Sequence, residues 1–200
     1  MSRRLLLASS SPRRRELLTQ AGLEFDVVSP QVAESESTAL SIRELTTLNA
    51  TRKARAVASS RPGDIVVAAD TLVALDGHVI GKPVDMCDAV AIVRRLSGRE
   101  HEVCTSVYIH CAGARQTASF FVMSHVQFRA LDDAEISLYL AKINPLDKAG
   151  AYAAQGHGRD IIERIRGSYT NVVGLPMDET LAALGRFGIE ANQEPAGASR

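Results

Sequence analysis

The sequence predicts an α/β (α+β) domain built on a mixed, twisted sheet flanked by helices. Two observations carry that expectation. Short apolar runs of strand length are interleaved along the chain with longer segments of helical period, so strands and helices share one architecture. The 200 residues, 46% hydrophobic and 23% charged, suit one globular domain with room for two lobes and an ample core. Residues 1–188 are read as that domain, and the tail 189–200, ending "ANQEPAGASR", is expected to be disordered.

Each element has its own warrant. Residues 4–8 read as a short strand. Ser11 is placed as an N-cap, Pro12 at the first helical position and Gly22 as the stop, which predicts a helix over 12–21. A strand over about 24–29 precedes a polar, acidic loop at 30–41. A long helix over about 41–59 ends at "SSRPGD". "IVVAADTLVALDGHVI" reads as two strand pieces with a turn at Asp76-Gly77 and a return. Asp85 caps a helix over 86–96 that ends at Gly98. Val103, Thr105, Val107 and Ile109 alternate in a strand over 101–111, and "AGA" turns it into a partner over 116–128. Asp132 caps a helix over 133–142. Residues 143–160, rich in Gly and Ala, read as loop, "DIIERI" as a short strand, and Pro176 as the start of a last helix to about 186.

Composition narrows the function classes. No apolar stretch approaches the ~18–20 residues of a membrane span. The start, "MSRRLLLASSS", is too short in apolar residues for a signal peptide, so the chain is read as cytoplasmic. Cys87, Cys104 and Cys111 are an odd number at no metal-like spacing and read as reduced packing thiols. No histidine pair falls at i, i+4 on a plausible helix, so no zinc signature is present. A formal net charge of zero argues against a general nucleic-acid binder. The charge is nevertheless clustered: five arginines and no acid in the first fifteen residues, then Arg52, Lys53, Arg55 and Arg61 with no acid between Glu44 and Asp64. Clustered cations in a neutral chain suggest a small anionic ligand, although solvated faces would read the same.

Six stretches carry candidate chemistry. In "LLLASSSPRRRELLTQAG", a helix start offers unpaired N–H groups beside the hydroxyls of Ser9, Ser10 and Ser11. Arg13 and Arg14 stand four before Leu17 and Leu18 and share their buried face, which aims two guanidinium groups at a cleft; Arg15 aligns with Thr19, towards solvent. Three surface arginines are the alternative, weakened because positive charge at a helix N-terminus is unfavourable. Asp70 and Thr71 interrupt nine apolar residues, and an isolated carboxylate there needs a cation; a strand-end aspartate in such a place suits a metal or a water, though a turn aspartate is possible. Glu34, in the acidic loop, could share a hard cation with Asp70. Lys53 lies eleven residues after Ile42, on the core-facing stripe of its helix, and either snorkels or meets an anion. Lys82 follows a strand and a glycine. In "NPLDKAGAYAAQGHG", small residues permit close approach of a flat ligand, and the Gln155 amide suits a base edge. No Walker A or GxGxxG sequence is present.

In order along residues 5 to about 186, "LASSSPRRRELL", "RKARAV", "VVAADTLVALDG", "IGKPVD", "RRLSGREHEV", "NPLDKAGAYAAQG" and "GSYTNVVGLP" resemble the Maf family of nucleoside triphosphate pyrophosphatases. Each motif is weak alone; all of them in register are specific. "DKAGAYAAQG" followed by "GSYTNVVGLP" is similar to the branch acting on dTTP and UTP. The branch preferring 7-methyl-GTP tends to carry Trp after the Ser-Pro, where this chain has Arg13. The resemblance implies an elongated fold with two lobes around a central cleft, similar to the ITPases and often dimeric. It implies cleavage between the α- and β-phosphates of a nucleoside triphosphate and a divalent metal, Mg²⁺ or Mn²⁺. It further implies Asp70 as general base, Glu34 and Asp70 near the metal, and Ser9, Arg13, Arg14, Lys53 and Lys82 on the triphosphate. Arg13, Thr71 and Gln155 become specificity positions. The family often has a second acid just before Glu34, where this chain has Ala33. Because the family name comes from septum formation, a nucleotide-binding regulator of cell division without turnover is the competing reading.

Overall fold

The computed structural model describes residues 3–191. The remaining residues of the expected tail, 192–200, lie outside the described residues. Among those described, no helix is long and apolar enough to cross a membrane.

Strands β1 (Leu5–Leu7), β2 (Asp26–Val27), β3 (Ile65–Leu75), β4 (His78–Ile80), β5 (Glu100–Cys111), β6 (Gln116–Phe128) and β7 (Ile162–Arg166) form one mixed sheet in the order β2-β1-β3-β5-β6-β7, with β4 also on β3. β1 pairs in parallel with β2 and β3, and the other pairings are antiparallel. Helices α1 (Pro12–Gln20), α2 (Ile42–Ser60), α3 (Met86–Leu96), α4 (Asp133–Leu140), α5 (Tyr169–Val173) and α6 (Met177–Gly185) flank it.

The helices start where side chains can serve the free N–H groups of the first turn. Ser41 and Glu44 form a capping box on α2, and Asp132 and Glu135 form one on α4. Asp85 caps α3 through the Asp88 N–H, and Arg94 and Arg95 lie in its last turn, where the dipole favours cations. Ser11 occupies the N-cap position of α1, but its side chain makes no capping bond; its own N–H instead donates to Ser9 Oγ at 3.2 Å. Asp76 and Gly77, with φ of 52° and 76°, make the expected tight turn between β3 and β4.

The largest departure from expectation is β3. It runs unbroken through Asp70 and Thr71, so Asp70 is neither a turn residue nor at a strand end. Nine register pairs with β5 supply the continuity, from Val66↔His110 to Ala74↔Glu102. β3's other edge is split: β1 pairs with Ile65–Val67 and β4 with Val73–Leu75. Residues 68–72 therefore have a ladder partner on one side only, and the sheet opens at Asp70. Smaller departures are a two-residue β2, a shorter α4, the helix α5, and 3₁₀ turns at Ala149–Ala151 and Gly156–Asp160 within the expected loop. Helix α5 is the 5 residues "YTNVV", too short for periodicity to reveal.

Strand alternation divides the core. Ile65, Val67 and Ala69 pack with Leu17 and Leu18 of α1 and Leu184 of α6 on one face. Val66 and Ala68 pack with Ala50, Ala54 and Val57 of α2 on the other. A further cluster at the far end joins Val73 and Leu75 to Val93 of α3 and Ile136 and Tyr139 of α4.

Candidate active site

The same alternation sends the two polar residues of β3 to opposite faces. Asp70, 3% exposed, turns towards α2, and Thr71 turns towards α1. An ionised carboxylate this buried needs a partner close by. Lys53 Nζ donates to Asp70 Oδ1 at 2.6 Å and lies 2.7 Å from Glu34 Oε1. One buried ammonium thus draws a strand carboxylate and a loop carboxylate together. Asn49, one turn earlier on α2, donates from Nδ2 to Asp70 Oδ2 at 3.3 Å. Partial burial alone would raise the Glu34 carboxyl. The Lys53 hydrogen bond and charge, aided by the charges of Lys82 and Arg14, outweigh it and hold the group below the usual glutamate range.

On the opposite face, Arg14 is gripped by neutral acceptors. Its Nε donates to the Gly174 carbonyl at 2.8 Å, Nη1 to Ser9 Oγ at 3.2 Å and Nη2 to Thr71 Oγ1 at 2.9 Å. Thr71 in turn pairs with Thr105 Oγ1 at 2.9 Å. Burial pulls the Arg14 guanidinium below the usual arginine range, partly opposed by the Asp70 charge. Among the described residues no carboxylate makes a direct ion pair with Arg14; the charges of Asp70 and Glu34 only partly offset its burial, and an incoming anion would relieve the rest. Gly174, at φ 127°, brings its carbonyl in where a side chain would be strained.

Arg13 reaches across the cleft. Its guanidinium contacts Asp147 Oδ2 at 3.3 Å and the Asp147 carbonyl at 3.5 Å. Burial pushes the Asp147 carboxyl up, but the neighbouring Lys148, then Arg13, hold it below the usual range. Arg15 is exposed, as its helical position predicts. Lys82 is exposed and Gln155 half-buried, and neither has a hydrogen-bond partner among the described residues.

A cleft of about 770 Å³ runs between these groups, a volume suited to a nucleotide-sized ligand. Ser9, Arg13, Arg14, Glu34, Lys53, Asp70, Thr71, Lys82 and Gln155 all line it. The structure therefore brings together every site residue read from the sequence. Sequence reasoning missed Asn49, Thr105 and the pairing of Asp147 with Arg13. The i, i+4 spacing of Asn49 and Lys53 was a usable signal, since it places both on one face.

Comparison with known proteins places the chain among relatives. A model of the Maf-like protein family matches residues 4–187. The dTTP/UTP pyrophosphatase of Geobacter sulfurreducens is 45% identical over 185 residues, covering 92% of this chain and 97% of that protein. That of Anaeromyxobacter dehalogenans strain 2CP-1 is 47% identical over 190 residues, covering 94% and 96%. That of Bacillus velezensis is 40% identical over 191 residues, covering 96% and 100%. The Staphylococcus aureus Ham1 protein aligns at a TM-score of 0.45 and 16% identity, covering 63% of this chain and 72% of that one. The matched residues include the strand, helix starts and loops that line the cleft, and on that extent of similarity the chain belongs to the Maf family.

Proposed function

We propose that this protein is a nucleoside triphosphate pyrophosphatase that hydrolyses dTTP and UTP to the monophosphate and pyrophosphate. The observation that carries the reading is the Lys53 ammonium clamped between Asp70 and Glu34, at 2.6 and 2.7 Å, in the same cleft as Arg14. The similar proteins named above are dTTP/UTP pyrophosphatases, which sets the substrate class. The two core clusters flanking β3's first half and the third at its far end support two lobes within residues 1–188.

Phosphoanhydride cleavage is mainly a matter of positioning and charge stabilisation. Arg14, Lys53 and Lys82 meet the phosphate oxygens, with Ser9 supplying a hydroxyl. Arg13 joins them by exchanging Asp147 for phosphate. Asp70 is the general base: Lys53 engages Oδ1 at 2.6 Å, and Oδ2, which accepts only the longer 3.3 Å bond from Asn49, keeps a lone pair for the proton of the attacking water, a contribution of ~10²–10⁴-fold. The water oxygen bonds to phosphorus as the α–β bridge breaks, and the pair of electrons leaves with pyrophosphate. Gln155, whose side chain has no hydrogen-bond partner among the described residues, reads the base edge. Thr71 acts on specificity through the Arg14 plane that it holds.

The donor set suits a hard divalent cation. Two carboxylates converge on one ammonium, and Mg²⁺ commonly takes one or two carboxylates together with phosphate oxygens. Among the described residues no group of three or more His, Cys, Asp and Glu could hold a metal alone, so a cation here would need further oxygens, such as those of a bound triphosphate. Glu34 and Asp70 would hold Mg²⁺ or Mn²⁺, which supplies neutralisation of phosphate charge when bound. A free nucleotide is the expected partner, in line with the zero net charge; the family resemblance also allows a homodimer.

A pyrophosphate-release screen over nucleoside triphosphates, with and without Mg²⁺ or Mn²⁺, tests the reading. Turnover of dTTP and UTP that chelation abolishes is expected. Signal on purine triphosphates alone would overturn the substrate assignment, and binding without release would favour the regulator. Asp70→Asn should leave nucleotide affinity within a few-fold of wild type while turnover falls at least ~10²-fold; equal turnover removes Asp70 from the mechanism.

A further inference from the structure

We infer that Asn49 is a positioning residue of this site: its one amide ties the loop that carries Glu34 to the strand carboxylate of Asp70. The inference rests on the reading of Asp70 as the general base. Asn49 is 2% exposed, in the middle of α2, where a buried amide is costly unless its donors and acceptor are met. They are met by functional elements. Oδ1 accepts from the Ser35 N–H at 2.8 Å, and Nδ2 donates to the Ser35 carbonyl at 3.2 Å and to Asp70 Oδ2 at 3.3 Å. The two bonds to Ser35 imitate the pairing of a neighbouring strand.

That contact matters because the loop has little else. Among the described residues, the hydrogen bonds and ion pairs that join residues 29–40 to the rest of the fold end on Asn49 and Lys53. The others in this segment, Ala39 N–H to Ser37 Oγ and Leu40 N–H to the Ser37 carbonyl, are internal. Asn49 and Lys53 stand one turn apart on the same face of α2. Lys53 takes Oδ1 of Asp70 and the Glu34 carboxylate; Asn49 takes Oδ2 of Asp70 and the backbone of the next residue, Ser35. Both oxygens of Asp70 therefore meet donors from one helix, which fixes the carboxylate plane. The separation of the two acids is set by α2, and neither the sheet nor the loop sets it alone. Since a 1 Å misplacement in such a site costs ~10²-fold, this bracket has catalytic weight although Asn49 need never touch the reacting atoms.

The test uses Asn49→Ala, which removes the amide, and Asn49→Leu, which keeps the branched heavy-atom skeleton without its polar atoms and leaves no cavity on α2. Amide hydrogen exchange over residues 30–38 is followed without nucleotide, and steady-state pyrophosphate release is measured alongside. In both variants exchange at Ser35 should speed up at least about tenfold, and kcat should fall at least about tenfold, the scale of one hydrogen bond to a charged group, with nucleotide KM moving less than about threefold. A Leu variant with wild-type melting temperature and reduced kcat assigns the loss to positioning. Wild-type kcat in the folded Leu variant, or unchanged exchange at Ser35, overturns the inference. If the wild-type protein releases no pyrophosphate from any triphosphate, the functional reading fails separately, and the exchange data still report whether Asn49 clamps the loop.

Discussion

Lys53 shows why a single side chain governs this site. It is buried on a helix face where alanines pack around it, yet it carries a full charge. That is tolerable because Asp70 and Glu34 meet the charge directly. Removing it strands two carboxylates, one of them almost fully buried. Lys53→Met should therefore lower stability at neutral pH by about 3 kcal/mol, read as a reduced urea midpoint, and should abolish pyrophosphate release. A Met variant as stable as wild type would mean that solvent reaches the carboxylates. The role of Lys53 was half legible: its place on a core-facing stripe left a snorkelling stem or an anion partner, and the choice between them depended on two distant segments. Arg13 and Arg14 were paired in sequence by their spacing to Leu17 and Leu18. The fold separates them, with Arg14 held by neutral acceptors and Arg13 by Asp147.

At the scale of elements, β3 positions the site by being continuous on one edge and interrupted on the other. The Gly150 turn buttresses that strand. Gly150 has φ 74°, and a Cβ there would lie 2.9 Å from Val73 Cγ2 and 3.1 Å from the Tyr152 ring. Gly150→Ala adds a left-handed residue and a clash, so a loss of at least ~1–2 kcal/mol is expected in denaturant unfolding. β5 carries a different liability. His101 is 2% exposed, its Nε2 2.9 Å from Tyr152 Oη, and its ring packs edge-on against Phe128. Burial lowers its pKa from 6.5 to about 4. Between those values the unfolded chain binds the proton and the folded chain does not, so stability is complete above pH 6.5 and declines as pH falls towards 4. The loss approaches ~3 kcal/mol for a shift of this size. His101→Gln should flatten that part of the stability–pH curve; an unchanged slope would assign it to other groups.

At the scale of the whole molecule, a chain of zero net charge places Arg13, Arg14, Lys53, Lys82 and Lys148 around one cleft. Nucleotide should bind the folded state alone. At a concentration of 100 Kd it adds about 2.7 kcal/mol, a rise in melting temperature of roughly 5–10 °C for a domain of this size. The Asp70→Asn variant, which turns substrate over slowly, is the protein in which to measure it; dTTP and UTP should shift it more than ATP or GTP. The sequence by itself determined the interleaved elements, the caps at the Asp85 and Asp132 helix starts, the turn at Asp76-Gly77 and the family motifs, because these rest on residues a few positions apart. Only the tertiary structure decided that β3 runs unbroken through Asp70, that Asn49 and Lys53 share its carboxylate, and that Arg13 meets Asp147. Those contacts span 17 to 134 positions of chain, and strand pairing and packing, to which local periodicity is blind, bring them together.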